Sequence, residues 1–348
     1  MNRKMLTVYT LDESEQWDLV VRSFREYDVY WLSGYVKGFQ IHGDGEPLLF
    51  FFESNITRAV NVVMKRDIAR DRHFAGLIPD NEYFDFATPY GYGGWIIEGP
   101  DTEELFTAYE LWCQQNGIIS EFVRFHPMIT NHEACKNFYE VNQLGEVVHM
   151  DLSSPSEILA NMVRECRNRI RKAEKDGVKI YNSRTPEVFE TFQSIYNCTM
   201  NSVNADPYYY FDKEYYHSVL EDLRDNAQVF YAVKDNVVIA ASIILTANDR
   251  MNYHFSGRLQ AFSLYAPMNL LLYKAALWGF ANGYSTFHLG GGVGSNKDSL
   301  FKFKRKFYKK ELNRFYIGKK VYDGEKYNEL MGLRNNLLNC NFFPKYRA

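Results

Sequence analysis

The chain of 348 residues has little with which to cross-link itself. Its five cysteines (Cys113, Cys135, Cys166, Cys198 and Cys340) are scattered, odd in number and never arranged as a C-x-x-C pair. That argues against a disulfide framework and a structural zinc site, and for a reducing compartment. No stretch approaches the ~18 apolar residues of a membrane helix, and the opening MNRKMLTVYTLDESEQ lacks the apolar core of a signal peptide. The expected location is cytoplasmic. A net charge of −3 gives no global attraction to nucleic acid or anionic membrane, so such a partner must meet a local patch. The motifs G-x-x-x-x-G-K-[ST], H-E-x-x-H, H-x-x-x-H and G-x-S-x-G are all missing. Support for a P-loop ATPase, a metalloprotease and an α/β-hydrolase goes with them, and no metal site is expected. Tandem short repeats and low-complexity linkers are absent as well.

What is present suits a packed globular protein. Hydrophobic residues make up 46% and charged residues 24%, at a length that allows one large domain or two ordinary ones. Aromatic residues reach 16%, compatible with large cores or with ring-lined clefts. Asp101 lies three residues before Glu104, the spacing of a capping box. Leu105, Tyr109 and Trp112 then share a face before Asn116-Gly117 closes a helix. A second long helix is predicted from Ser156, with Ile158, Met162, Cys166 and Ile170 four residues apart, ending at Asp176-Gly177. Between the two, EFVRFHP reads as a strand, and HMDLSSPS near 149–156 reads as a join between domains. Upstream, Pro47–Ser54 and Val60–Lys65 read as strands.

The second half has an informative order. Gln228–Lys234 and Val237–Thr246 form a predicted hairpin about Asp235-Asn236. A strand over 250–256 follows, then a helix from Pro267 to Asn282 with its proline suited to the first turn. Tyr284–Leu289 is a strand running into three glycines, and Arg314–Lys320 is read as a strand completing the set. A hairpin, a strand, a helix and a strand make an antiparallel ribbon that passes into a crossover. That is the order of the acyltransferase fold called GNAT.

Chemistry concentrates in a few places. Between Lys302 and Lys310 six of nine residues are basic, with Phe303 and Phe307 interleaved. This is either a short helix with solvated charges or a phosphate-binding edge. The preceding Gly290, Gly291 and Gly292 let backbone approach a ligand closely. The loop after 250–256 is where GNAT enzymes hold coenzyme A pyrophosphate with R/Q-x-x-G-x-G/A. Here it reads Arg258-Leu-Gln-Ala261-Phe-Ser263, without either glycine, which removes support for that cofactor. Tyr253 and His254 on the neighbouring strand are candidates for acid–base work, against the bland reading of a satisfied core or surface histidine. In the first half, Thr88-Pro-Tyr90-Gly-Tyr92-Gly-Gly94 is either an ordered turn or an aromatic cleft wall, and Arg124 in RFHP can add a cation. The arginines and lysines from Arg164 to Lys172 are read as a solvated helix face or a second basic surface.

These segments together resemble the FemAB family of peptidoglycan-bridge aminoacyltransferases, in particular its FemX-like members without a helical arm. The resemblance rests on TPYGYGG and RFHP, on RNRIRKAEKDGV, and on LGGG followed by DSLFKFKRKF. It implies an α/β fold of mixed sheets with flanking helices, in two tandem GNAT-like domains with an interdomain cleft. Residues 1–150 would bind the acceptor and be joined by a C-terminal helix at 322–348; residues 151–321 would handle donor and transfer. The family's F-K-x-x-F element matches Phe303 to Phe307, so Lys304 inherits a role in holding phosphate or stabilising charge at the transferred carbonyl, with Phe303 and Arg305 beside it. Lys37 falls near the family's acceptor-binding lysine. The implied function is amide formation on a nucleotide-linked muropeptide or amino-sugar acceptor, with aminoacyl-tRNA or acyl-CoA as co-substrate and no tightly bound cofactor. An acyl-CoA-dependent N-acetyltransferase and a non-catalytic module binding tRNA or an anionic glycan are the alternatives.

Overall fold

The computed structural model describes residues 5–334 and 342–348; Cys340 and part of the expected helix at 322–348 lie outside them. The chain divides into two compact units, 1–144 with 315–348 and 145–314. Each is α/β, and each is taken alone below.

In the first unit β1 (Met5–Tyr9), β2 (Glu46–Glu53), β3 (Arg58–Asp67) and β4 (Phe84–Ala87) follow one another across an antiparallel sheet, while α1 (Ser14–Arg22) and α2 (Ser33–His42) intervene between the first two strands. A short β5 (Ile96–Glu98) pairs with β3. Helix α3 (Glu103–Gln115) then crosses over, and β6 (Ile118–Arg124) lies parallel to β4. The capping signal at the start of α3 is real: the Asp101 carboxylate accepts from the Glu104 N–H at 3.3 Å. The core is largely aromatic, with Phe50 edge-on to Tyr109 and Trp112. Beneath it the carboxylate of Glu121 is buried and accepts hydroxyls from Tyr109 (3.2 Å), Tyr139 (3.0 Å) and Tyr322 (2.5 Å). Burial pushes this carboxyl above the ordinary glutamate range, against the pull of those hydrogen bonds.

The boundary between units falls within β7 (Glu140–Asp151), upstream of the expected join at 149–156. The second unit continues with α4 (Pro155–Ala160), α5 (Arg164–Lys175), β8 (Lys179–Ser183), α6 (Pro186–Ser202) and α7 (Lys213–Asp222). Three antiparallel strands follow: β9 (Ala227–Lys234), β10 (Val237–Ala247) and β11 (Arg250–Arg258). Helix α8 (Pro267–Ala281), β12 (Thr286–Gly290) and α9 (Ser299–Arg305) complete the unit, whose sheet runs β7-β12-β11-β10-β9-β8. The β9–β10 turn takes positive φ at both Asp235 (50°) and Asn236 (63°), the backbone that a two-residue hairpin requires.

The helix predicted from Ser156 onward is two helices. Ile158, Met162, Cys166 and Ile170 are all buried in one core, as their spacing requires. The chain breaks at Asn161–Val163 because its backbone is bonded elsewhere: Val163 N–H donates to the Lys306 carbonyl (3.0 Å), and the Asn161 carbonyl accepts from Lys309 N–H (2.9 Å). The break is thus a docking point for the chain leaving α9.

β13 (Asn313–Val321) corrects a second expectation. The sequence order makes it the last strand of the second domain, yet it pairs antiparallel with β6, Ile317 opposite Arg124, in the sheet of the first unit. The apolar run Phe315–Ile317 between Arg314 and Lys319-Lys320 does not say which sheet edge a strand joins. Within the expected helix 322–348 the described residues form α10 (Gly324–Gly332) and a 3-10 turn at Lys345–Arg347. Each unit therefore repeats one plan, an antiparallel ribbon, a crossover helix and a parallel strand.

Candidate active site

The second unit opens its sheet where the ribbon meets the crossover. β11 and β12 are paired only from Arg250–Asn252 to Thr286–His288. Beyond that β11 continues to Arg258 along β10, while β12 turns its last residue, Gly290, toward Val148 of β7. A bulge on β11 contributes to the divergence. Tyr253 faces Ile244 and Phe255 faces Ile243, which leaves His254 as the extra residue.

Three groups converge near this opening. Gly290 has φ +78°, a backbone region that favours glycine, and a Cβ there would stand 3.3 Å from the Lys304 Nζ. Lys304 reaches back from α9 and donates to the Gly291 carbonyl at 2.8 Å, with its Nζ 5.6 Å from the centre of the Tyr253 ring. The side chain is only 8% exposed. Burial lowers its pKa to about 8, partly opposed by the charge of Asp298. One of the three ammonium protons is thus committed to Gly291, and a ligand oxygen can take another. Tyr253 is partly buried, desolvation pushes its phenol up to about 12, and its hydroxyl is bonded to Ser256. It stays neutral and can donate or relay a proton.

Two expected participants stand elsewhere. His254 faces α7, where Tyr215 Oη lies 3.1 Å from its Nε2, and its ring packs on Phe255. Burial drops its pKa to about 3, so it is an uncharged core group and a poor base. Its neighbour position on the strand sends it to the face opposite Tyr253. His254→Phe is expected to leave kcat within about threefold, since packing rather than proton transfer is at stake; steady-state rates beside a melting curve check this. Arg305 turns its guanidinium to the carbonyls of Tyr308 and Lys309 and so ties down the exit of α9 rather than facing a ligand. Phe303 packs edge-on against Phe307 and lines a cavity.

That cavity, of about 200 Å³, opens at the first turn of α8 between Arg169, Arg258, Lys306, Ser263, Asn269 and Phe303. Glu165 bridges two of its cations, bonding Lys306 at 2.8 Å and Arg169 at 3.2 Å. The loop before α8 is a 3-10 turn, Gln260–Tyr265, whose N–H groups are partly spent internally: Phe262 donates to Leu259 and Ala266 to Ser263, both at 3.1 Å. Ala266 sits at φ +49°. The Phe262 and Ala266 N–H groups are therefore not available to an anion at this turn. Side-chain cations are what the site offers an anion.

In the first unit the residues of TPYGYGG pack on the unit's own aromatics. The Tyr90 ring stacks on Phe39 at 5.5 Å and its carbonyl accepts from Tyr35 Oη at 2.6 Å. Tyr92 is edge-on to Tyr30, His126 and Phe315, with centroids 5.4–5.6 Å apart. Gly91 is fixed by contact, because a Cβ there would meet the Tyr30 ring at 2.6 Å. Arg124 lies over the Phe122 ring at 5.3 Å, and its charge is felt by the Tyr92 phenol, which burial keeps high. Lys37 is exposed on α2, the helix that supplies Tyr35 and Phe39. Sequence reading missed the buried pair beneath these rings. His126 Nδ1 accepts from the Met128 and Ile129 N–H groups, so its Nε2 carries the proton and donates to Asp28 at 3.1 Å.

The two units define a tandem GNAT fold, and residues 160–305 match the family model described as an acetyltransferase (GNAT) domain. Among solved structures, FemX aligns over 93% of this chain and 99% of its own, at 12% identity and a TM-score of 0.68. A conserved protein of unknown function from Bacteroides thetaiotaomicron VPI-5482 aligns over 91% and 100%, at 10% identity and 0.59. A tandem GNAT protein from the clavulanic acid biosynthesis pathway aligns over 92% and 99%, at 8% identity and 0.51. No curated protein matches the chain. The fold is the one seen in FemX and in that tandem GNAT protein. Among the described residues no helix is long and apolar enough to cross a membrane, and no cluster of ligating side chains could hold a metal ion.

Proposed function

We propose that this chain transfers an activated acyl or aminoacyl group to an amine of a cell-envelope precursor, a nucleotide-linked muropeptide or amino sugar. The carrying observation is the buried Lys304 ammonium at the glycine turn beside the divergence of β11 and β12. An ester or thioester donor is already activated, so no protein nucleophile is needed. The enzyme has to align the amine and stabilise the oxyanion that forms at the carbonyl. Lys304 supplies a positive N–H donor for that oxyanion, and Tyr253 with Ser256 offers a path for the proton lost from the amine. Tyr90, Tyr92, Arg124 and Lys37 are assigned to acceptor binding, Tyr90 and Tyr92 as the ring surface and the two cations as phosphate partners.

The cationic cavity supports a donor that carries phosphate. Aminoacyl-tRNA is the reading favoured by the side-chain character of the site; acyl-CoA is the second, since the cavity lies at the loop where that cofactor sits in this fold. The test is to offer a muropeptide or amino-sugar acceptor with charged tRNA or with acyl-CoA and to weigh the product. Transfer from either donor identifies it. RNA binding with no transfer from either sinks the enzyme reading in favour of a binding module. Arg258→Ala is expected to raise the donor KM about tenfold and to leave kcat near wild type, because a phosphate contact contributes to ground state and transition state alike. The same variant flattens the dependence of donor KM on salt.

A further inference from the structure

Asp298 was not among the residues expected to matter, and it makes two bonds that no other side chain duplicates. Its Oδ1 accepts from Phe301 N–H at 2.8 Å and so caps the first turn of α9. Its Oδ2 accepts from Val293 N–H at 3.1 Å, in the turn that follows the three glycines. The fit is close. A Cβ on Gly292 would stand 2.4 Å from Asp298 Oδ1 and 2.0 Å from the Asn296 carbonyl. One carboxylate therefore joins the segment that presents the Gly291 carbonyl to the helix that presents Lys304.

We propose that Asp298 is the positioning residue of this site, holding the glycine turn and Lys304 in one register. The argument rests on the role given to Lys304 above. The charged and titratable groups facing the Lys304 ammonium are few: Asp298 from the turn and the neutral Tyr253 from β11, with the Gly291 carbonyl as its direct partner. Removing the Asp298 charge removes the one group that opposes desolvation. The same carboxylate is itself held below the ordinary aspartate range, first by the Phe301 N–H, so it is ionised throughout the neutral range.

The charge and the cap can be separated. Asp298→Asn keeps an oxygen for Phe301 and loses the charge; Asp298→Ser keeps a cap and loses the reach to Val293; Asp298→Ala loses everything. The primary readout is independent of turnover: the rate of trinitrophenylation of Lys304 against pH, followed by peptide mass spectrometry in the full chain. The midpoint in wild type is expected near 8 and should fall by at least half a unit in Asp298→Asn. In transfer assays kcat should drop about tenfold in Asp298→Ser and more in Asp298→Ala, with acceptor KM unchanged. An unchanged midpoint in Asp298→Asn overturns the proposal, as does full kcat in Asp298→Ala. If no donor supports transfer, the labelling midpoint still reports on the Lys304–Asp298 pair, so failure of the enzyme reading is told apart from failure of this one.

Discussion

Lys304→Met lowers kcat by about 10²–10³ while raising the melting temperature. The first half follows from oxyanion stabilisation, where loss of one preorganised donor in a water-poor site typically costs that much. The second half follows from the burial of the same group. Holding the Lys304 pKa at about 8, below its ordinary value of 10.5, means that the folded state binds this proton less well than the unfolded state. At neutral pH that penalty is on the order of 3 kcal/mol. The sign is clear: a depressed lysine weakens the fold below its folded pKa, and the penalty fades as pH rises from about 8 to its ordinary value. Methionine fills similar volume and carries no charge, so stability should rise as activity falls. The wild-type rate should be flat near pH 7 and fall as pH climbs through about 8. Lys304→Arg is not expected to rescue, because the planar guanidinium differs in shape and reach from the ammonium that donates to the Gly291 carbonyl at 2.8 Å. Steady-state rates from pH 6 to 9.5 beside thermal melts check both halves. A variant that keeps its rate, or loses both rate and stability, contradicts the assignment.

How much of this was legible in the sequence depends on the range of the interactions involved. Helix α8 and the β9–β10 hairpin could be read closely because Pro267 and Asp235-Asn236 act on their own neighbours. The four-residue spacing of Ile158, Met162, Cys166 and Ile170 named a buried face correctly, but the break at Asn161–Val163 is made by carbonyl and amide groups of residues 306 and 309, some 140 positions away. No local pattern carries that. The same holds for β13, which begins at Asn313 although its partner strand β6 ends at Arg124. Within the site, LGGG and the lysine-rich run could be placed near one another, and Lys304 named, because they are close in sequence. Tyr253 and His254 could not be told apart: adjacent residues on a strand face opposite sides, and only the bulge and the helix packed on each face decide which one meets the lysine. Asp298 was overlooked because a single aspartate before a helix reads as an ordinary cap, and its second bond goes to a turn whose geometry is set by glycines. The basic run also overstated its own chemistry. Of its members Arg305 is spent on backbone carbonyls and Lys306 is paired with Glu165, which leaves Lys304 as the buried one.

The largest effect on folding is expected far from this site, at Arg347. Asp85 is wholly buried in the first unit and keeps its charge through three partners: Arg66 Nε on Oδ1 at 2.7 Å, Arg347 Nε on Oδ2 at 2.5 Å, and Tyr346 Oη on Oδ2 at 3.0 Å. Burial pushes this carboxyl up, but the two guanidinium charges and their hydrogen bonds outweigh it and hold the pKa below the ordinary aspartate value. Arg347 also reaches Asp71 at 3.0 Å, so one side chain serves two acids. Arg347→Met should therefore cost about 3–5 kcal/mol, because it leaves a buried carboxylate short of its counter-charge. Adding Asp85→Asn should recover most of that loss, since the pair is worth much less than either orphaned half. The pH dependence separates this from lost packing. In wild type the depressed Asp85 contributes stability that is complete above the ordinary aspartate pKa and is lost as pH falls through its folded pKa. In Arg347→Met the carboxyl shifts upward, desolvation now unopposed by one of its cations, and mild acid neutralises it. Stability of the variant relative to wild type should then improve between pH 7 and 4.5, read as converging urea midpoints. A constant gap across that range would mean that Arg347 acts through packing alone and that the charge of Asp85 is carried by Arg66.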